Sequence, residues 1–469
     1  MGQRKARSNS WVSERRLYRA AEVPTKNEER EELKMKHRAT FCSICWLLLL
    51  AISSVPLTAQ SQVIVRDSLG ESALQTTCLL LNCSVIEGLD GSLGQVFLVT
   101  VPTNVSLTTF LQELVGHVGI ADAEPDLLLH VMSQTAPNAL YDTTPVDYYR
   151  TTVWDGYVNQ PAVQIINLQS AHSNSSFRAS GAGIVAVIDT GVDPNQPVLQ
   201  SVLVQGRDFT RNQQGGSELA DINQSTMAVV NGAYVAQVNQ STMAVVNDQG
   251  YTTFSQSQYA AFGHGTMVSG IIHLVAPTAQ IMPLKAFHAD GTGNLSDVLR
   301  AIYYATQNNA NIVNMSFDFL TYSRELENAV NHASNSGVIC VASVGNDGQQ
   351  VVVYPAGLSK VMGVASTTNN DTLSSFSNYG QPPVWVGAPG EGIVTTYPYG
   401  TYAAGWGTSF STPFVSGTVA LMRSVNTGLN QQSAAQAISH AVYISPALGY
   451  GRLDVYQAVI AWCRASQQC

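Results

Sequence analysis

Apolar positions divide the chain into three textures. Between residues 62 and 130, short apolar runs alternate with polar turns: VIV at 63–65, CLLL at 78–81 and QVFLVTVP at 95–102. Residues 108–117 (TTFLQELVGH) carry a helical pattern, and AEPDLLLH follows at 123–130. This segment predicts a small α+β unit. Residues 131–160, rich in Pro, Thr, Asp and Tyr, have no periodicity and predict a linker or exposed segment. From Gly181 onward, continuous apolar runs alternate with helical patterns. IVAVI at 184–188 ends on Asp189, and further strands are expected at 279–284, 311–314, 338–342, 361–364 and 384–386. Between them Leu295, Val298, Leu299, Ile302 and Ala305 recur at helical spacing, as do Leu326, Val330 and Ala333. Unbroken apolar strands suit a sheet buried on both faces. Their alternation with helices predicts an α/β fold with a doubly wound, mostly parallel sheet and helices on both faces. One stretch stands apart: INQSTMAVVN at 222–231 returns as VNQSTMAVVN at 238–247. Two copies are too few for a solenoid, and a duplication inside a surface loop is the expectation.

Composition changes the picture at the N-terminus. The 469 residues have a net charge of −9, which argues against nucleic acid as a partner. Residues 1–59 hold 11 of the 23 Lys and Arg, so the body of the chain is acidic and sparsely charged. An apolar run at 41–55 (FCSICWLLLLAISSV) follows Lys34, Lys36, His37 and Arg38 and precedes Leu57-Thr58-Ala59. Basic, apolar, then small is the order of a secretory signal peptide. The expected signal is 35–59, with translation starting at Met35, residues 1–34 left out of the fold, and cleavage after Ala59. The alternative is a membrane anchor through 41–55, for which the run is short. Cys78 with Cys83, and Cys463 with Cys469, are spaced to close small loops in an oxidising compartment. Cys340 stands in an apolar run and reads as core.

Three motifs bear on chemistry. VIDTGVD at 187–193 places Asp189 at the carboxyl end of a strand, the edge where open α/β sheets form their sites. GHGTMVSG at 263–270 flanks His264 with glycines ahead of a helical run. GTSFSTPFVSG at 407–417 puts Ser409 at the start of a helix, where free N–H groups face outward. Aspartate, histidine and serine are what acyl transfer by a serine requires: a nucleophile, a base, and a carboxylate that orients the base. Asn346, in ASVGNDG after a strand, is placed to donate to a developing oxyanion together with the Ser409 N–H.

From about residue 153 to the C-terminus the chain resembles the subtilisin-like serine proteases. The resemblance rests on IDTG, GHGT, NMS, GN and GTSFSTP in order, with YPA at 354–356, FSNYG at 376–380, GAPG at 387–390 and GYGRLDVYQAV at 449–459. It implies a catalytic triad of Asp189, His264 and Ser409, an oxyanion amide on Asn346, and substrate-binding segments at Gly291, Thr292, Gly293, Ser316, Phe317 and Asp318. Residues 60–131 resemble the family's inhibitory propeptide more loosely, with 132–152 as the maturation region and 153–469 as the peptidase. The function implied is a secreted, self-processing serine endopeptidase, monomeric, with polypeptide substrates and its own propeptide as inhibitor. No cofactor is required for the chemistry. Calcium often stabilises the family; Asp193, Asp290 and Asp371 are candidate ligands, but no calcium loop assigns a site. The chain departs from the family at NMSFDFL, where Asp318 and Phe319 replace the expected glycines and predict a narrowed first pocket that disfavours Phe and Tyr and favours small or basic residues. The competing readings are a narrowly selective processing protease and a catalytically silent binding protein on the same scaffold. A nucleotide enzyme is excluded, since no glycine-rich phosphate motif follows the first strand.

Overall fold

A computed structural model describes residues 62–126, 137–177, 179–221, 237–238, 243–245, 259 and 261–469. The expected signal segment, the LLLH end of AEPDLLLH and the first copy of the duplication lie outside the described residues. Among the described residues, no helix is long and apolar enough to cross a membrane.

Residues 62–125 form a four-stranded antiparallel sheet in the order Val85–Gly88, Val96–Thr100, Gln62–Asp67, Ile120–Pro125. Helices Glu71–Leu81 and Leu107–Val115 accompany it. Side chains alternate across a strand, and here both faces are used. Val63, Val65, Phe97 and Val99 pack with Leu74, Phe110 and Leu114 of the unit's own helices. Ile64, Val96 and Leu98 join a different core, containing Leu295, Val298, Leu299 and Ile302 of the larger region. The unbroken VIV run is therefore buried on two sides. CLLL ends the first helix; Cys78 is buried, whereas Leu79 and Leu80 face solvent. Cys78–Cys83 and Cys463–Cys469 are disulfides, and Cys340 is a free, buried thiol.

The expected linker contains regular structure. Pro145–Tyr148 and Thr151–Trp154 pair as a hairpin, and Tyr157 beyond it is fully buried, donating its hydroxyl to the Gly270 carbonyl at 2.7 Å. This corrects the reading of a linker or exposed segment for residues 151–160, whereas 141–145, 147, 149 and 150 are exposed as expected. The cause is packing by large aromatic rings, which a count of Pro, Thr and Asp does not register.

The main sheet has eight strands in the order Val384–Pro389, Val361–Thr367, Ile339–Ser343, Ile312–Met315, Ile184–Asp189, Gln280–Lys285, Arg207–Asp208, Gln213–Gln214. All neighbours are parallel except the last pair. The six strands from Val384–Pro389 to Gln280–Lys285 divide their residues between two cores, as the doubly wound expectation requires. Val185, Val187, Ile339 and Val341 meet Met267, Ile271, Phe410 and Val415 on one face. Ala186, Ile188, Cys340 and Ala342 meet Val298, Ile302, Leu326 and Val330 on the other. From Ile184–Asp189 the chain builds one side of the sheet, Arg207–Asp208, Gln213–Gln214 and then Gln280–Lys285, before it crosses to the opposite side as Ile312–Met315. Such a switch point opens a crevice at the carboxyl ends of the strands. Part of the second duplicated copy is more than loop: Met243–Val245 pairs antiparallel with Thr401–Gly405.

Candidate active site

Asp189 ends its strand at this crevice and is almost fully buried. Its Oδ1 accepts from the Thr190 N–H at 2.7 Å and lies 2.7 Å from His264 Nδ1. His264 opens the His264–Val275 helix behind the N-cap Gly263. The close approach of helix and strand depends on the next glycine: a Cβ on Gly265 would lie 2.0 Å from the Gly191 carbonyl oxygen. With Nδ1 committed to Asp189, His264 Nε2 is buried and makes no hydrogen bond among the described residues.

Ser409 is the second residue of the Thr408–Val425 helix, and Phe410 beside it sets its ring edge-on to His264 with centroids 5.4 Å apart. The Ser409 hydroxyl donates to the Ser316 carbonyl at 3.0 Å, not to the imidazole. Pro413, four residues on, has no N–H for the Ser409 carbonyl; that carbonyl accepts from Ser316 Oγ at 2.9 Å. Asn346 follows the Ile339–Ser343 strand. Its Oδ1 accepts from the Thr408 N–H at 2.8 Å and the Thr408 hydroxyl at 3.0 Å. The amide oxygen is thus fixed and the Nδ2 hydrogens are turned elsewhere, beside the helix N-terminus that carries Ser409.

The remaining expected residues divide. Ser316 touches Ser409 through both its hydroxyl and its carbonyl. Gly291, Thr292 and Gly293 form a turn in which the His288 N–H donates to the Thr292 carbonyl at 2.7 Å and Phe287 pairs with Gly293. Phe317 packs on Phe287 with centroids 4.9 Å apart, inside the core. Phe319 is buried in that same core and pairs by backbone with Tyr354, so its expected place at the pocket edge is corrected. Beyond the end of the Ile312–Met315 strand, Phe317 and Phe319 are buried and Asp318 between them is less so. A Cβ on Gly345 would lie 2.9 Å from Asp318 Oδ2, which places that carboxylate next to the Asn346 segment. Burial, reinforced by Asp347, pushes the Asp318 carboxyl up to about 7.

The calcium candidates all have protein partners. Asp193 accepts from the Asn195 and Tyr399 N–H groups, Asp290 from Thr292, and Asp371 from Arg452. Among the described residues, no group of three or more His, Cys, Asp or Glu is arranged to hold a metal.

Sequence reading missed Glu218. It is completely buried, and it accepts hydrogen bonds from the Gly263 N–H at 2.8 Å and from the Thr266 hydroxyl. Lys285, also fully buried, donates to the Thr190 carbonyl at 2.9 Å and to Asp221 at 2.7 Å. No local motif marks either residue.

The model of the subtilase family matches residues 181–455. The chain belongs to that family. It is 32% identical over 331 residues to the thermophilic serine proteinase of Bacillus sp. (strain AK1), covering 69% of this chain and 71% of that protein. It is 33% identical over 296 residues to thermitase of Thermoactinomyces vulgaris, covering 60% of this chain and 90% of that protein. Among solved structures, fervidolysin from Fervidobacterium pennivorans superposes with a TM-score of 0.64 at 20% identity, covering 86% of this chain and 62% of that one. This likeness bears on the fold, which is subtilisin-like. The subtilase chain is a serine endopeptidase, and polypeptides are its substrates.

Proposed function

We propose that Asp189, His264 and Ser409 are the catalytic triad of a secreted endopeptidase made as a self-processing zymogen. The observation that carries this is the 2.7 Å contact between His264 Nδ1 and Asp189 Oδ1, which leaves a buried Nε2 without a partner among the described residues. In the reaction, Ser409 Oγ attacks the scissile carbonyl carbon while His264 Nε2 takes its proton. Asp189 holds the tautomer and stabilises the imidazolium. The tetrahedral oxyanion is met by Asn346 Nδ2 and the Ser409 N–H. Collapse breaks the C–N bond, and the imidazolium protonates the departing amine. Water then hydrolyses the acyl-enzyme by the same route.

The zymogen reading draws support from the way residues 62–126 dock. Glu124 accepts from the Arg324 N–H at 3.0 Å and from the Ser323 hydroxyl, at the start of the Arg324–Asn335 helix. Asp126 accepts from the Ser296 N–H at 3.0 Å and the Ser296 hydroxyl at 2.9 Å, in the first turn of Leu295–Gln307. Carboxyl oxygens at helix N-termini accept from N–H groups that have no partner within the helix. Arg66 adds an ion pair with Glu325. The test is Ser409→Ala, expected to lose ~10⁴–10⁶ in rate, to escape fluorophosphonate labelling, and to remain an uncut precursor. Maturation of that variant in a host without other proteases would overturn the proposal.

A further inference from the structure

The helix that carries His264 begins without a side-chain cap. Gly263 is its N-cap, in the left-handed region at φ 89°, and offers no acceptor to the first N–H groups. Two side chains from elsewhere supply them. Thr190 Oγ1 accepts from the Gly265 N–H at 3.0 Å, and the Glu218 carboxylate accepts from the Gly263 N–H at 2.8 Å. Glu218 also accepts from the Thr266 hydroxyl and, at 3.4 Å, from the Thr190 hydroxyl. Thr266 Oγ1 in turn accepts from the Asp193 N–H at 2.8 Å.

These partners flank the two residues whose separation matters. Thr190 follows Asp189 and donates its N–H to Asp189 Oδ1; Gly263 precedes His264, and Thr266 is two residues beyond it. Glu218 is a partner of all three, has no hydrogen bond to Asp189 or His264, and is completely buried. Taking a carboxyl group out of water is costly unless its lone pairs are used. Burial does push the Glu218 carboxyl well above its usual range. The requirement is nevertheless simple in either protonation state: Gly263 N–H can only donate, so one Glu218 oxygen must accept.

We propose that Glu218 is a positioning residue that holds the His264 imidazole in register with Asp189 by tying Thr190, at the end of the aspartate's strand, to the first turn of the histidine's helix. The inference rests on the triad reading above. Displacing a catalytic group by about 1 Å costs ~10²-fold in rate, which fixes the expected scale.

The experiment uses the full chain, with rates normalised by active-site titration. Glu218→Ala is expected to lower kcat by ~10²-fold with KM within about twofold of wild type. Glu218→Gln keeps an acceptor for Gly263 and turns its amide toward the Thr266 hydroxyl, which has a lone pair to spare. It is expected to return kcat to within about threefold of wild type. Thr266→Val removes one of the three ties and is expected to lower kcat by about tenfold. The inference is overturned if Glu218→Ala keeps its kcat, if the loss lies wholly in KM, or if Gln rescues no better than Ala. Should Glu218→Ala not fold, an unchanged kcat in Thr266→Val overturns it alone. His264→Ala separates the two readings: activity in that variant sinks the triad, whereas an inactive His264→Ala beside an active Glu218→Ala sinks only the role of Glu218.

Discussion

Ser316 and Ser409 exchange two hydrogen bonds, each hydroxyl donating to the other residue's carbonyl, at 2.9 and 3.0 Å. One of the two exists because Pro413 cannot supply the helical donor that the Ser409 carbonyl would otherwise have. The nucleophile's helix is thereby fastened at its first turn to the central Ile312–Met315 strand's continuation.

Ser316→Ala should accordingly leave a buried carbonyl without a donor, and the Asn314 amide without its acceptor at 2.9 Å. The expected cost is about 1–3 kcal/mol of stability, read by denaturant unfolding in a Ser409→Ala background that cannot digest itself. A midpoint equal to that of the background would show the bond to be dispensable.

Asn346→Ala should remain folded and lose roughly 10²–10³ in kcat with little change in KM, the signature of a donor used only in the transition state. Steady-state kinetics on a peptide substrate measures it. An unaltered kcat would leave the oxyanion to other donors.

The docked N-terminal unit should respond to pH. Burial pushes Glu124 up to about 7 and Asp126 up to about 6 when they cap the two helices. Both values lie above those of free carboxyl groups, so docking takes up protons. The stabilisation is complete below the free values, near pH 4, and is lost as pH rises through 6 and 7. Residues 60–131 added separately should therefore bind the Ser409→Ala peptidase more tightly at pH 5.5 than at pH 8. Tighter binding at pH 8 would reverse the sign and remove the two carboxyl groups as its cause.

Asp318 should set the first-pocket preference without Phe319. Its carboxylate has no hydrogen-bond partner among the described residues, and Asp347 disfavours its ionisation further. A cationic substrate side chain beside it would favour the ionised form, so basic residues should be preferred above pH 7 and less so below. Asp318→Gly should lose that preference in kcat/KM and gain aromatic acceptance. A peptide-library profile unchanged by the substitution would place Asp318 outside the pocket. Phe319 is left intact because its removal would open a core cavity.

The legible part of this chain is the part where local pattern and tertiary role coincide. IVAVI reads as a two-sided strand because both of its faces are covered, and Asp189, His264 and Ser409 each mark the end of an element with glycines nearby. The hairpin at 145–154 was illegible because its turn places Tyr149 and Arg150 at φ 46° and 72°, with no Gly or Asn to announce it. Glu218 was illegible for another reason. It meets Gly263 across 45 residues of sequence, and only the folded chain brings the two together. Phe319 reads as a pocket residue from the motif alone, and packing assigns it, with Phe317, to the core.

The two disulfides close loops only five and six residues apart in sequence. A loop that short removes little freedom from the unfolded chain compared with a long one, and each bond fastens a helix end rather than joining the two cores. The one free thiol among the described residues, Cys340, is buried, and its ionisation is pushed up to about 12. A thiol held in that state is a poor nucleophile and a poor target for oxidants. The sheet and its crevice are thus held by packing and hydrogen bonds, with neither disulfide crossing them, so a reducing agent should loosen two helix ends and leave the peptidase framework standing.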